Sequence, residues 1–209
     1  MKEAYLFNKL EDKKVRCQAC NHQCIIKEGN RGICGVRENL SGTLVSLVYG
    51  KVIAAHCDPI EKKPLFHFLP GTRSHSIATV GCNFRCLFCQ NADISQMPTD
   101  QHQIMGRDMS PADIVEDALA TQSSSISYTY TEPTVYFELA LDTARLAVKK
   151  GLKNVFVSNG YMTKECLHEI SPDLHAANVD LKAFSGKFYK EQCGARLEPV
   201  LETLAEMKN

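Results

Sequence analysis

Ser76-Ile77-Ala78-Thr79-Val80-Gly81-Cys82-Asn83-Phe84-Arg85-Cys86-Leu87-Phe88-Cys89-Gln90-Asn91 joins a short β-prone run to a C-x3-C-x2-C cluster through one glycine. The run Ser76–Val80 predicts a strand that stops at Gly81. The cysteines follow at its carboxyl end, where parallel α/β sheets carry their chemistry. Three thiols this close make poor core packing, because neighbouring thiols oxidise and all three crowd one loop. Two kinds of metal centre fit. Structural zinc takes four ligands and needs a distant fourth, such as Cys57 or His75. An iron–sulfur cubane held by three cysteines leaves one iron open to a ligand from outside the protein.

Downstream, strand and helix signals alternate. Ser110-Pro111-Ala112-Asp113 reads as an N-cap serine, a first-turn proline and an acid three residues past the cap. Ile114, Val115, Ala118 and Leu119 give that helix its apolar face. Ile126–Tyr130 is the next expected strand, and Thr134 is the expected cap of a helix that Gly151 stops. Asn154–Ser158 and Ala177–Leu181 are further strands, separated by a helix over Thr163–Ile170 and followed by one using Leu197, Val200, Leu201, Leu204 and Met207. Four β-then-α units in succession predict an α/β fold with a parallel sheet. The chain stops after a helix with no returning strand, so a C-terminally truncated polypeptide is expected.

The C-x3-C-x2-C run with Phe88 before its last cysteine resembles the signature of radical S-adenosylmethionine (radical SAM) enzymes. The resemblance implies that Cys82, Cys86 and Cys89 hold a [4Fe-4S] cluster whose open iron chelates SAM. One electron then cleaves the sulfonium, giving methionine and a 5′-deoxyadenosyl radical that abstracts hydrogen from a substrate. It also implies a partial (β/α)6-type barrel, with about four βα units present. Tyr130-Thr131-Glu132-Pro133 is similar to the family's Gly-Gly-Glu-type segment. Both glycines are replaced, so Glu132 carries over as a SAM contact, with Thr131 auxiliary. Ser158-Asn159-Gly160 and Asp180-Leu181-Lys182 are similar to later strand-end segments near SAM, which adds Ser158, Asn159, Asp180 and Lys182.

Gly32-Ile33-Cys34-Gly35-Val36-Arg37-Glu38-Asn39 and Asp58-Pro59-Ile60-Glu61-Lys62-Lys63-Pro64-Leu65-Phe66-His67-Phe68 look like the AmmeMemoRadiSam-system radical SAM enzymes, relatives of the pyruvate formate-lyase activating enzyme. Glycyl-radical activation is therefore the alternative activity. The resemblance implies a low-potential electron donor such as ferredoxin or flavodoxin, and a substrate, a protein among the candidates, that no residue specifies. A non-catalytic iron–sulfur or zinc-binding module is the competing class.

Ahead of the barrel, residues 1–75 read as a Cys-rich module of loops and short strands, with 76–209 as the barrel part. Leu44–Val48 and Lys51–Ala55, joined by Tyr49-Gly50, predict a hairpin. Cys17, Cys20, Cys24 and Cys34 form C-x2-C-x3-C-x9-C, enough for a tetrahedral zinc or an auxiliary iron–sulfur cluster; spacing does not choose between them. His22 is expected to face solvent, and His67 to sit in the core beside Phe66 and Phe68. Cys57, Cys166 and Cys193 are isolated and read as small apolar residues.

The chain has 209 residues and ten cysteines, and 24 basic residues balance 24 acidic ones. Zero formal charge argues against a broad nucleic-acid surface. The first fourteen residues carry charges throughout with no apolar signal region, and no apolar run approaches the ~20 residues of a membrane span. Clustered thiols without export signals suit a reducing cytoplasm.

Overall fold

Buried side chains occupy all but at most two positions of each central strand, the mark of a parallel sheet covered on both faces. The computed structural model describes residues 1–208. In it β1 (Ala54–Pro59) runs antiparallel beside β2 (Arg73–Ala78). Then β3 (Ser125–Tyr128), β4 (Lys153–Ser158) and β5 (Ala176–Val179) follow in chain order, each parallel to the last. Because sequential strands are neighbours, their carboxyl ends form one continuous rim.

Helices α1 (Pro111–Ala120) and α2 (Phe137–Lys149) connect these strands, α3 (Lys164–Ile170) follows β4, and α4 (Glu198–Lys208) closes the described chain. The expected cap of α1 is complete: the Asp113 amide donates to Ser110 Oγ at 3.2 Å, and the Ser110 amide returns to Asp113 Oδ2 at 2.7 Å. Ile114, Val115 and Ala118 join Ala140, Leu141 and Ala144 of α2 against Ile77, Ile126 and Phe156 of the sheet. Full burial of each larger member contributes about 1.5–3 kcal/mol. No helix among the described residues is long and apolar enough to cross a membrane.

The amino-terminal stretch differs from expectation. Leu44–Val48 and Lys51–Ala55 do not pair with each other. Thr43–Ser46 pairs with Arg37–Leu40 instead, across Ser41-Gly42. Both of those residues have positive φ (52° and 85°), the combination whose twist suits a two-residue hairpin. Tyr49-Gly50 reverses the chain only locally, sending Lys51–Val52 to Arg107–Asp108 and the residues beyond to β1. The expected boundary at residue 75 therefore falls inside β2. Glu132, rather than Thr134, caps the turn Pro133–Tyr136 that leads into α2.

A buried ion pair ties the amino-terminal hairpin to α2. Arg37 donates to both carboxylate oxygens of Glu138 at 3.0 and 2.8 Å, with both side chains essentially inaccessible. Glu138 also accepts from the Tyr5 amide at 3.1 Å. Removing one partner strands the other charge, so Glu138→Ala is expected to lower stability by about 3–5 kcal/mol in urea denaturation. A change within experimental error would show that the pair does not join the two parts.

Candidate functional site

The rim is set by the turn that leaves β2. Gly81 has φ +99°, and a Cβ there would lie 2.6 Å from Val36 Cγ1 and 3.1 Å from the Cys34 carbonyl. Only glycine lets the amino-terminal segment press this close. Beyond it, Cys82, Cys86 and Cys89 line one cavity of about 450 Å³ together with Thr131, Glu132, Ser158, Asn159, Asp180 and Lys182. All the residues expected at the barrel site thus meet in one place, drawn from the tips of four successive strands.

Each sulfur has a distinct setting. Cys82 Sγ accepts from the Phe84 amide at 3.4 Å and sits 3.9 Å from Asn159 Nδ2. Cys89 Sγ lies 3.4 Å from Ser95 Oγ, on the one-turn helix Ala92–Ser95. Burial pushes the Cys82 thiol well up, with Glu132 adding to it. Burial also pushes Cys86 to about 12, and Lys182 pulls the other way. Metal coordination reverses this bias by deprotonating thiols outright. Cys86 has a neighbour that the sequence did not announce, the buried Cys193. The backbone around Cys193 holds the loop, its carbonyl accepting from the Arg85 amide and that of Gln192 from the Leu87 amide, both at 2.9 Å.

Neither distant fourth ligand for a zinc reaches this loop. Cys57 and His75 pair across β1 and β2 near the start of β2, the opposite end from Cys82. The three loop sulfurs, with N–H donors to one and an ammonium near another, suit a cluster with one corner left to the cavity. Among the described residues no three Cys, His, Asp or Glu side chains stand at mutual metal-ligand spacing.

Glu132 is the knot of the rim. Its Oε1 accepts from the Thr134 amide (3.1 Å), Thr134 Oγ1 (2.5 Å) and Ser158 Oγ (2.9 Å), and its Oε2 from the Asn159 amide (2.8 Å). Hydrogen bonds to an ionised group are worth about 1.5–3 kcal/mol each, which offsets much of the cost of burying the charge. Ser158 Oγ also accepts from the Gly160 amide at 3.0 Å. Asn159 Nδ2 donates to Asn83 Oδ1 at 2.7 Å, coupling the β4 tip to the cysteine loop. Thr131 donates its hydroxyl to the Thr79 carbonyl at 2.9 Å. Lys182 pairs with Asp180 at 3.2 Å; burial lowers its pKa, and the aspartate outweighs that and raises it.

A second group on the same wall was missed by sequence reading. Lys63 is buried, donates to Asp58 Oδ2 at 2.9 Å and lies 4.7 Å from the centre of the Tyr130 ring. Tyr130 donates its hydroxyl to the same carboxylate at 2.7 Å, and its own carbonyl accepts from Asn91 Nδ2 at 2.8 Å. Tyr130 has φ +63°, an unusual backbone conformation for a bulky residue. Burial pushes Asp58 up, but these donors outweigh it and hold the carboxyl well below the usual range. The only sequence signal was the pair Lys62-Lys63, and both line the cavity. His67 and Phe66, expected in the core, are exposed.

Cys17, Cys20, Cys24 and Cys34 lie elsewhere, around a separate small void. His22, expected in solvent, is half-buried against the Tyr161 ring at 4.9 Å, and its Nε2 donates to the Asn83 carbonyl at 2.8 Å. Asp93, His102 and Asp108 are exposed, Asp93 on the one-turn helix Ala92–Ser95 and Asp108 on the strand paired with Lys51–Val52.

The sequence profile of the Radical SAM superfamily matches residues 76–209. This chain belongs to the radical SAM superfamily. Membership implies an enzyme that uses a [4Fe-4S] cluster and SAM, and it agrees with the parallel α/β sheet. The chain is 53% identical over 203 residues to "Uncharacterized protein MJ0808" of Methanocaldococcus jannaschii, covering 97% of this chain and 60% of that relative. It is 30% identical over 190 residues to "Uncharacterized protein MJ0674" of the same organism, covering 88% and 49%. The chain therefore spans only about half to three-fifths of the length of these relatives. A solved structure described as TYW1 with a lysine-pyruvate adduct bound aligns with a TM-score of 0.46 at 19% identity, over 68% of this chain and 54% of that one.

The buried Glu132 makes a pH prediction. Burial raises its pKa, with the donors from Thr134, Asn159 and Ser158 offsetting part of the rise. A raised carboxyl favours folding fully below the unfolded value of about 4.3 and loses that contribution as pH rises through the folded one. The stability of wild type relative to Glu132→Gln should therefore fall as pH rises above the unfolded carboxyl value of about 4.3, measured by urea denaturation. A difference that stays flat or grows with pH would contradict this ionisation.

Proposed function

We propose that the chain carries the cluster- and SAM-binding part of a radical SAM enzyme of the AmmeMemoRadiSam-system type, acting in the cytoplasm on an unidentified substrate. The observation that carries this reading is the meeting of Cys82, Cys86 and Cys89 with the tips of β3, β4 and β5 on one cavity. Cys82, Cys86 and Cys89 hold the cluster. Thr131, Ser158, Asn159, Asp180 and Lys182 shape the SAM side, and Glu132 fixes the Ser158-Asn159 tip that faces it. When bound, the cluster and SAM supply reductive sulfonium cleavage, which yields the radical that takes hydrogen from substrate.

The protein's own work is placement. Gly81 aims the loop, Asn83 and Asn159 lock it to β4, and the Cys193 segment pins its far side. Electrons come from a low-potential carrier such as ferredoxin or flavodoxin. Activation of a glycyl-radical enzyme is the second reading, favoured by the Asp180–Lys182 pair on the cavity wall. The four amino-terminal cysteines hold a second metal centre, zinc or a cluster.

Anaerobic reconstitution with iron, sulfide and SAM, followed by dithionite, tests the activity. The full-length protein is expected to release 5′-deoxyadenosine, read by chromatography, and its Cys86→Ala variant to fall to background. A fully loaded full-length protein that yields none would overturn the reading.

A further inference from the structure

Behind the cysteine loop lies a void with an unusual lining. Cys17 ends the strand Val15–Cys17, Cys20 and Cys24 follow in the next turn, and Cys34 arrives from another loop, yet all four thiols border it. Its volume is about 20 Å³. A single water-sized sphere needs roughly 10–15 Å³, so the void as it stands matches one ion better than a cube of iron and sulfide.

Two buried donors on the same wall have no acceptor. Arg37 is 2% exposed and Asn83 is 1% exposed. Arg37 uses its two terminal nitrogens on Glu138, which leaves Nε without a partner. Asn83 uses Oδ1 to accept from Asn159, and its Nδ2 has none. Buried N–H groups left alone cost about 1–3 kcal/mol each, and native proteins seldom tolerate them. Free thiols are weak acceptors, whereas metal-bound thiolates are strong ones, and donors around a metal centre belong to its outer shell.

We infer that Cys17, Cys20, Cys24 and Cys34 bind a single tetrahedral divalent ion of the zinc class, with Arg37 Nε and Asn83 Nδ2 donating to its thiolate sulfurs. The four sulfurs border the void without standing at ligand spacing, so binding draws them in to about 2.3 Å from the ion and releases the thiol protons to solvent. The inference deepens the second-centre reading above by choosing the ion and its outer shell. It also gives the site a task. The cysteine turn is stitched to the rim by the Cys20–Met162 bridge, by the Asn21 amide on the Tyr161 carbonyl (2.9 Å) and by His22 on the Asn83 carbonyl. The ion therefore braces Asn83, the residue next to Cys82, and positions the cluster loop from behind.

The test uses the full 209-residue chain with Cys82→Ala, Cys86→Ala and Cys89→Ala, so that only the second site remains. Titration with cobalt(II) should show one equivalent bound, with the intense visible bands of a tetrahedral all-sulfur site, displaced by one equivalent of zinc. Adding Cys24→Ser should remove that spectrum while circular dichroism stays that of a folded protein. Failure of a folded triple variant to bind cobalt or zinc, or its retention of iron with inorganic sulfide, would overturn the inference. Should the triple variant not fold, zinc-edge absorption on the iron-loaded wild type gives the same answer: four sulfur neighbours are expected, and fewer would contradict it. Neither readout depends on SAM cleavage, so a failure here leaves the radical reading standing, and missing 5′-deoxyadenosine would leave this one standing.

Discussion

A buried carboxylate with four donors around it holds the rim together. Glu132 sits where β3 gives way to α2, and it reaches across to the hydroxyl of Ser158 and the amide of Asn159 at the end of β4. Asn159 then passes the constraint to Asn83 and so to the first cysteine of the loop. The chain of contacts fixes the distance between the sulfur-bearing turn and two neighbouring strand tips. Preorganisation of this kind is what a protein contributes when cofactors carry the reaction. A Glu132 that could swing freely would leave the cavity with the same residues and no defined shape.

The carboxylate has little left to offer a ligand directly, because both oxygens are engaged inside the protein. Family resemblance alone would cast Glu132 as a SAM contact. The geometry gives it a positioning task, and leaves the outward face of the cavity to Asp180, Lys182 and the main chain of the strand tips. Lys63 and Tyr130 also line the cavity, and Asp58 behind them holds the buried ammonium and the half-buried aromatic ring together. The amino-terminal stretch is more than an appendage. It supplies β1, presses Val36 onto Gly81 and lodges Arg37 under α2.

What the sequence disclosed follows from how local each signal is. The strand before Cys82 and the capped start at Ser110-Pro111 are written in a few adjacent residues, and both lie close to where they were expected. The rim residues were named from the resemblance to radical SAM segments, and they meet because those segments sit at strand ends that the topology brings together. The amino-terminal hairpins were paired wrongly because Ser41-Gly42 and Tyr49-Gly50 look alike as turns, and only long-range partners decide which strands they join. Tyr130 and Asp58 are 72 residues apart, and nothing adjacent to either marks the other. Cys193 read as an isolated thiol until the fold set it beside Cys86.

The central claim is that the cavity meets a cluster with one iron unclaimed by protein sulfur. Electron paramagnetic resonance of the reduced, reconstituted chain addresses it most directly, recorded with and without SAM carrying a 15N-labelled amino group. The account predicts that SAM changes the cluster signal and that a hyperfine coupling to the labelled nitrogen appears. A signal indifferent to SAM, with no coupling, would mean that the fourth iron is already taken and that the loop holds a closed centre.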